Sequence, residues 1–128
     1  MLRMLAVVLL FVTNTSAAEP HIAQATLPYH GPVAYADKKL QIVFYAESEG
    51  RHLSAIDFDG RVLWTRNPFV DAQLKPYRVA EPRIISIYPP LPWMVADQKR
   101  SFIAIQFEST QVGVVDVKSG DFVLLGQD

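Results

Sequence analysis

The sequence of 128 residues contains no cysteine. We therefore expect neither disulfides nor a lipid anchor on an N-terminal cysteine, and zinc would lack a sulfur ligand. The stability of the folded chain must then come from a hydrophobic core or from association between chains.

Patterns typical of catalysis and metal binding are also missing. The three histidines, His21, His30 and His52, are not spaced as zinc ligands are. A glycine-rich phosphate loop and a Gly-x-Ser-x-Gly nucleophile elbow are absent from the sequence. We therefore predict no metal, no cofactor and no catalytic residue.

No apolar run reaches the length of about 20 residues that crosses a bilayer. The run at residues 5–12 follows a single charged residue, Arg3, and precedes the small residues Ser16, Ala17 and Ala18. A charged, an apolar and a small-residue segment in this order are typical of a secretory signal. We predict that residues 1–18 are a signal peptide and that the mature chain is periplasmic or secreted, without a membrane span.

The charge balance gives no sign of a nucleic-acid partner. Removal of the signal takes away Arg3, which leaves 11 of the 12 Lys and Arg residues against 13 Asp and Glu, a net charge near −2. The positive residues are scattered, whereas phosphate binding needs a basic stripe.

What the sequence does contain is a repeat of β character. The stretch LSAIDFDGRVLW at 53–64 returns as VGVVDVKSGDFVLL at 112–125. Asp59 and Gly60 predict a two-residue hairpin turn, and Lys118-Ser119-Gly120 predicts a three-residue loop that ends in a left-handed glycine. Asp57 and Asp116 precede these turns, where their carboxylates are expected to accept backbone amide hydrogens.

The similarity extends backwards along both copies. Ile42 aligns with Ile103 at an offset of 61, and Pro32 aligns with Pro92 at an offset of 60. Offsets that change only at turns favour duplicated β units, although two unrelated meanders would also align loosely. The predicted strands are 32–36, 40–46, 53–58 and 61–66 in the first copy, and 93–96, 102–107, 112–117 and 121–125 in the second.

We predict one all-β domain over residues 19–128. The first repeat covers about 22–66, a crossover covers 67–82, and the second repeat covers about 83–128. A further edge strand is expected at 83–88, and residues 69–77 form either a helical turn or an irregular loop. The unbroken apolar runs at 42–46 and 83–88 indicate sheets covered on both faces. Two arrangements fit: a compact sandwich or half-propeller of one chain, or a homo-oligomer.

The segment 55–64 resembles the blade motif of quinoprotein-like β-propellers, in which an Asp, a turn Gly and a strand Trp recur. Here Asp57, Gly60 and Trp64 carry the motif, and the second copy keeps Asp116 and Gly120. The resemblance implies propeller-blade-like four-stranded repeats and no particular reaction. Family members that carry pyrroloquinoline quinone have many more blades, so it does not imply that cofactor here.

Two loops combine proline with aromatic residues, which favours recognition because proline pre-orders a loop and Tyr and Trp anchor interfaces. A rigid connector that closes the ends of the core is the alternative. The candidate partner-binding residues are Tyr29 and His30 in the first loop, and Tyr88, Pro89, Pro90, Leu91 and Trp93 in the second.

The leading hypothesis is an exported, non-catalytic β-repeat protein that binds a protein or another macromolecule, as an inhibitor or immunity-type partner would. The second is a small periplasmic hydrolase or quinone-linked enzyme that uses the carboxylates of Asp57, Asp116 or Glu108. The third is a self-assembling structural module.

Overall fold

The computed structural model describes residues 25–128, so the predicted signal peptide and His21 lie outside the described residues. Residues 25–128 form two four-stranded antiparallel sheets with very little helix. The prediction of an all-β chain with two four-stranded units is confirmed. Within these residues no helix has the length and apolar character needed to cross a membrane.

Both sheets are simple meanders in which each strand pairs with the next along the chain. The first sheet contains β1 (Ala34–Asp37), β2 (Ile42–Ala46), β3 (Leu53–Asp57) and β4 (Val62–Arg66). The second contains β5 (Ile84–Tyr88), β6 (Phe102–Phe107), β7 (Val112–Asp116) and β8 (Phe122–Gly126). A short helix α1 (Pro68–Asp71) and a 3-10 helix (Pro92–Met94) lie in the connections.

The crossover holds only one turn of helix. Pro68 stands at its first position, and the side chain of Asn67 accepts a hydrogen bond from the amide of Val70. The helix ends at Asp71, so most of the predicted 69–77 segment is irregular.

The predicted strand at 93–96 is wrong, because these residues begin with the 3-10 helix. The first strand of the second sheet is instead β5, at the place where only an extra edge strand was expected. Three prolines at 89, 90 and 92 remove the backbone donors that a paired strand needs. The alignment misled because in both copies an Asp side chain accepts from an amide of the turn that follows, that of Leu40 for Asp37 (3.0 Å) and that of Lys99 for Asp97 (2.9 Å).

The third and fourth strands of each sheet are joined by loops that contain a left-handed glycine. Gly60 has φ +92° and Gly120 has φ +83°. The amide of Asp57 donates to the carbonyl of Arg61 (2.9 Å), which closes a three-residue loop rather than the predicted two-residue turn. In the second sheet the amide of Asp116 donates to the carbonyl of Asp121 (2.9 Å), so the loop has four residues rather than the predicted three, while Gly120 has the left-handed conformation that was expected.

Strand register shows which residues of the two sheets correspond. Asp57 lies opposite Ile42, and Asp116 lies opposite Phe102. Ile42 therefore corresponds to Phe102, and the predicted alignment with Ile103 is off by one residue. The β2–β3 and β6–β7 loops agree with this register, because Gly50 (φ +81°) and Thr110 (φ +77°) both have left-handed backbones at an offset of 60.

The register has a consequence for how the sheets pack. Side chains alternate between the two faces of a strand, and directly opposite residues share a face. The face of the first sheet that enters the main core carries Phe44, Leu53, Ala55 and Trp64. Their counterparts by register are Ala104, Val112, Val114 and Val123, which lie on the face of the second sheet that points away from the main core.

Unlike faces of the two units therefore meet, and the contact is head to tail. A two-fold sandwich, in which the same face meets itself, is excluded by this arrangement.

Aromatic residues fill the contact between the sheets. The ring of Trp64 lies 6.2 Å from that of Phe44. Its Nε1–H donates to the carbonyl of Val117, in the loop between β7 and β8 (2.7 Å). The ring of Phe107 meets those of Phe69 and Phe122 edge to face at 6.1 and 5.8 Å. The strands β1 and β5 contact each other, so the two meanders begin side by side.

Candidate interaction face on the second sheet

The outer face of the second sheet, which points away from the main core, is apolar. It carries a second, smaller cluster in which Met94, Ala104 and Val114 are buried, with Tyr88 and Phe102 packed at its side. We call the surface formed by this cluster, the neighbouring strand β8 and the loop 89–101 the outer face.

Loop 89–101 is held against the second sheet by one buried side chain. Met94 is only 4 % exposed and packs on Ala104 and Val114. The loop is also closed on itself, because the amide of Met94 donates to the carbonyl of Leu91 (2.9 Å) and the amide of Leu91 donates to the sulfur of Met94 (3.3 Å).

The same closure directs two large apolar side chains into solvent. Trp93 is 69 % exposed and Leu91 is 51 % exposed. Burial of an apolar side chain of this size gives about 1.5–3 kcal/mol, so leaving both exposed forgoes a sizeable stabilisation. Val123 on β8 is a third exposed apolar residue of the outer face, at 55 %.

A shallow groove of about 230 Å³ runs between the loop and β8. Its apolar walls come from Met94, Phe102, Val114, Val123 and Leu125. Its charged residues are Asp97, Arg100, Asp116 and Asp121. An apolar centre with charges around it is the usual composition of a protein-binding surface.

Asp116 and Arg100 form an ion pair beside the groove. Asp116 also accepts from the amides of Lys118 (2.8 Å) and Ser119 (3.2 Å), which gives it the predicted role in the turn. Burial would raise the pKa of Asp116, but the hydrogen bonds from Arg100, Ser119 and Lys118 outweigh it and lower the pKa. The guanidinium of Arg100 lies 5.3 Å from the ring centre of Phe102, within cation–π range.

The second predicted loop contributes to the outer face. Trp93 and Leu91 are its exposed residues, Pro89 is exposed and Pro90 is half-buried. Tyr88, on β5, is half-buried and lies opposite Ala104 of β6. Burial raises the pKa of its hydroxyl.

The first predicted loop lies elsewhere and does not join this surface. It precedes β1, whereas the second loop follows β5, the corresponding strand. Tyr29 stacks on the guanidinium of Arg83 at 4.0 Å, and its hydroxyl lies where a side chain on Gly50 would have to go. Tyr29 therefore packs against the connection to the second sheet, while His30 is exposed.

Each carboxylate of the catalytic hypothesis has its own arginine. Asp57 pairs with Arg61 (3.1 Å) and Glu108 with Arg83 (2.9 Å). Hydrogen bonds from the backbone and side chain of Arg61 lower the pKa of Asp57. Burial would raise the pKa of Glu108, but the side chain and backbone of Arg83 lower it.

These carboxylates do not converge on one place. Asp116 lies opposite the first residue of β6, and Glu108 follows its last residue. At about 3.4 Å per residue, roughly 20 Å of strand separates them. His52 pairs with Glu49 in the β2–β3 turn (3.1 Å), and residues 25–128 contain no group of three metal-ligating side chains.

Sequence reasoning missed the five apolar residues that wall the groove: Met94, Phe102, Val114, Val123 and Leu125. The near-continuous apolar run of β6, FIAIQF, was a usable signal, because such a strand is covered on both faces. The burial of Met94 had no comparable signal, since it depends on how a proline-rich loop folds back.

Comparison of the chain with protein-family models, curated proteins and solved structures found no match. The function therefore has to be argued from the outer face itself.

Proposed function

We propose that the chain is an exported, non-catalytic protein-binding module made of two propeller-blade-like units, and that its outer face receives a protein partner. The observation that carries the proposal is the exposure of Trp93 beside Leu91, on a loop that is anchored by Met94. A pre-ordered loop with an exposed aromatic anchor loses little entropy on binding.

The packing of the sheets supports the blade-like part of the proposal. Adjacent blades of a propeller meet through unlike faces, because each blade repeats the previous one by rotation about a common axis. The head-to-tail contact between the two sheets has this property. The contact of β1 with β5 agrees with first strands that lie nearest to such an axis.

The order of residue types in 1–18 supports export. The alternative of a hydrolase or quinone-linked enzyme has no support from the arrangement of Asp57, Asp116 and Glu108, since each is neutralised by a different arginine. The likeness to quinoprotein-like repeats is proposed for the geometry of the blades alone.

The test is photo-crosslinking in cells that make the chain natively. A photoreactive amino acid at position 93 should form an adduct with a protein, because Trp93 is the most exposed large apolar side chain of the outer face. The same group at position 70 is the matched control, since Val70 is 63 % exposed but lies on α1. No adduct at 93, or equal adducts at both positions, would refute the proposal.

A stability measurement separates binding from folding. Trp93→Ala should leave the melting temperature unchanged, because the side chain is mostly in solvent, yet reduce the amount of partner bound. Met94→Ala should lower the free energy of unfolding by about 2 kcal/mol or more, because it empties a buried site. If Trp93→Ala destabilises the fold equally, the loop is a core closure and the proposal fails.

A further inference from the structure

The contact between the sheets inside one chain leaves one face of each sheet uncovered. The first sheet packs with the face that carries Trp64 and leaves the opposite face open. The second sheet packs with the face that carries Phe122 and leaves the outer face open. By register, the open face of the first sheet corresponds to the packed face of the second sheet. The outer face of the second sheet corresponds to the packed face of the first.

We infer that copies of this chain associate head to tail, with the open face of the first sheet of one copy on the outer face of the next copy. This inference rests on the proposed function, because it names a second copy as the partner of the same surface. The contact between copies would extend the contact that joins the two sheets within each chain.

Side-chain sizes at corresponding positions support this assembly. Within the chain, the large Trp64 meets the loop residue Val117, which is 7 % exposed. In the contact between copies the corresponding residues are Val123, in place of Trp64, and Phe58, in place of Val117. Phe58 and Val117 correspond because each amide donates to the carbonyl of the residue that precedes the second strand of its sheet. The acceptor is Gln41 for Phe58 and Ser101 for Val117.

The exchange of sizes is reciprocal. A large strand residue faces a small loop residue within the chain, and a small strand residue would face a large loop residue between copies. Phe58 is 52 % exposed, and Val123 lines the groove of about 230 Å³. The ring of Phe58 therefore has an apolar site to enter, and its exposure at a hairpin loop acquires a reason.

Loop 89–101 fits the same scheme. Ala104 is small where the first sheet has Phe44, and Met94 is buried on Ala104. Met94 thus supplies the volume that the smaller residue leaves empty, and it forms one wall of the groove. The loop therefore covers part of this side of the second sheet and leaves Val123 exposed.

A head-to-tail contact forms a ring if its rotation closes. Propellers have roughly four to eight blades, so with two units in each chain a closed ring holds about two to four chains.

The first experiment is sedimentation of the purified protein, two interface variants and one control variant. The wild type should sediment at two to four times the mass of one chain. Phe58→Asp and Val123→Asp should each sediment as a single chain, because each places a charge in the apolar contact. Val70→Asp is the control and should assemble as the wild type does. Circular dichroism verifies that each variant is folded.

The mixture of the two variants is the decisive measurement. Phe58→Asp keeps an intact groove and Val123→Asp keeps an intact Phe58, so the mixture should form a one-to-one pair. The pair should be weaker than the wild-type assembly, since it lacks the closing contact. A contact between identical faces would not recover in this way. Failure of the mixture to pair would overturn the inference.

Failure of this inference can be told apart from failure of the proposed function. A wild type of single-chain mass whose position 93 crosslinks a different protein would refute the assembly and leave the binding module standing. Single-chain mass with no adduct at position 93 would refute both.

Discussion

Gly113 gives the sharpest test of the packing described for the second sheet. A Cβ atom on this residue would lie 2.1 Å from the carbonyl oxygen of Val123 and 2.6 Å from the ring of Phe122. Val123 belongs to β8 and is paired with Val114, so its carbonyl cannot move away without disturbing the pairing of β7 with β8. The backbone of Gly113 does not have positive φ, so strain from a left-handed conformation plays no part.

The expected cost of Gly113→Ala follows from these contacts. Overpacking costs about 1–3 kcal/mol, and a weakened strand hydrogen bond adds about 1 kcal/mol. Replacement of glycine by alanine restricts the unfolded chain and returns about 0.4–1 kcal/mol. The net loss in the free energy of unfolding is about 1–3.5 kcal/mol, which at about 4–8 °C per kcal/mol lowers the melting temperature by about 4–28 °C.

Urea unfolding followed by tryptophan fluorescence measures this loss. Gly126→Ala is the matched control, because Gly126 lies in the neighbouring strand β8, lacks positive φ, and has no heavy atom within 4 Å of its added Cβ. The control should stay within about 0.5 kcal/mol of the wild type. If Gly113→Ala is as stable as Gly126→Ala, the close approach of the two strands is wrong.

Three further predictions concern polar contacts. Trp64→Phe should cost about 1–3 kcal/mol in urea unfolding, because it leaves the buried carbonyl of Val117 without its donor; wild-type stability would contradict the bond. Glu108→Gln should cost about 1–2 kcal/mol at neutral pH, since Arg83, whose side chain is 37 % exposed, loses its charged partner. Folding lowers the pKa of Glu108, so the stability difference between wild type and Glu108→Gln should be constant above the unfolded pKa of about 4.3. It should disappear as the pH falls through the lower pKa of the folded state. A difference that does not depend on pH would exclude the ion pair as its cause. Asp116→Asn should speed hydrogen exchange of the amides in the following turn, and unchanged exchange would show that the carboxylate does not hold it.

Turn chemistry and apolar runs were enough to predict most of the fold. Asp57 and Asp116 precede their loops and bond the loop amides, as expected from residues that compete for backbone hydrogens. Gly60 and Gly120 marked the hairpins, because a left-handed backbone selects glycine. All eight strands therefore fell near predicted ones, although β1 and β2 begin two residues later than predicted and β5 was expected only as an extra edge strand.

The errors arose where similar sequence served different structure. Ala36-Asp37 and Ala96-Asp97 both precede a turn, but the first pair ends a strand and the second follows a 3-10 helix. An alignment shifted by one residue placed Ile42 with Ile103. Such a shift exchanges the two faces of a strand, so the head-to-tail packing was not accessible from the alignment.

The outer face was only partly predictable. The exposed Trp93 stood out because proline and aromatic residues occur together around it. In the sequence, Val123 is one of several apolar residues in a predicted strand and nothing distinguishes it. Only the strand register identifies it as the counterpart of Trp64. Tyr29, chosen on the same grounds as Trp93, packs on Arg83 instead, because neighbours far along the chain decide which aromatic is covered.

The unlike character of the two meeting faces has an evolutionary consequence. Where identical faces meet, each substitution enters the interface twice, and a harmful change is doubled. Here each face can vary by itself, so Trp64 and Val123 can differ at corresponding positions of the two sheets without sharing a contact.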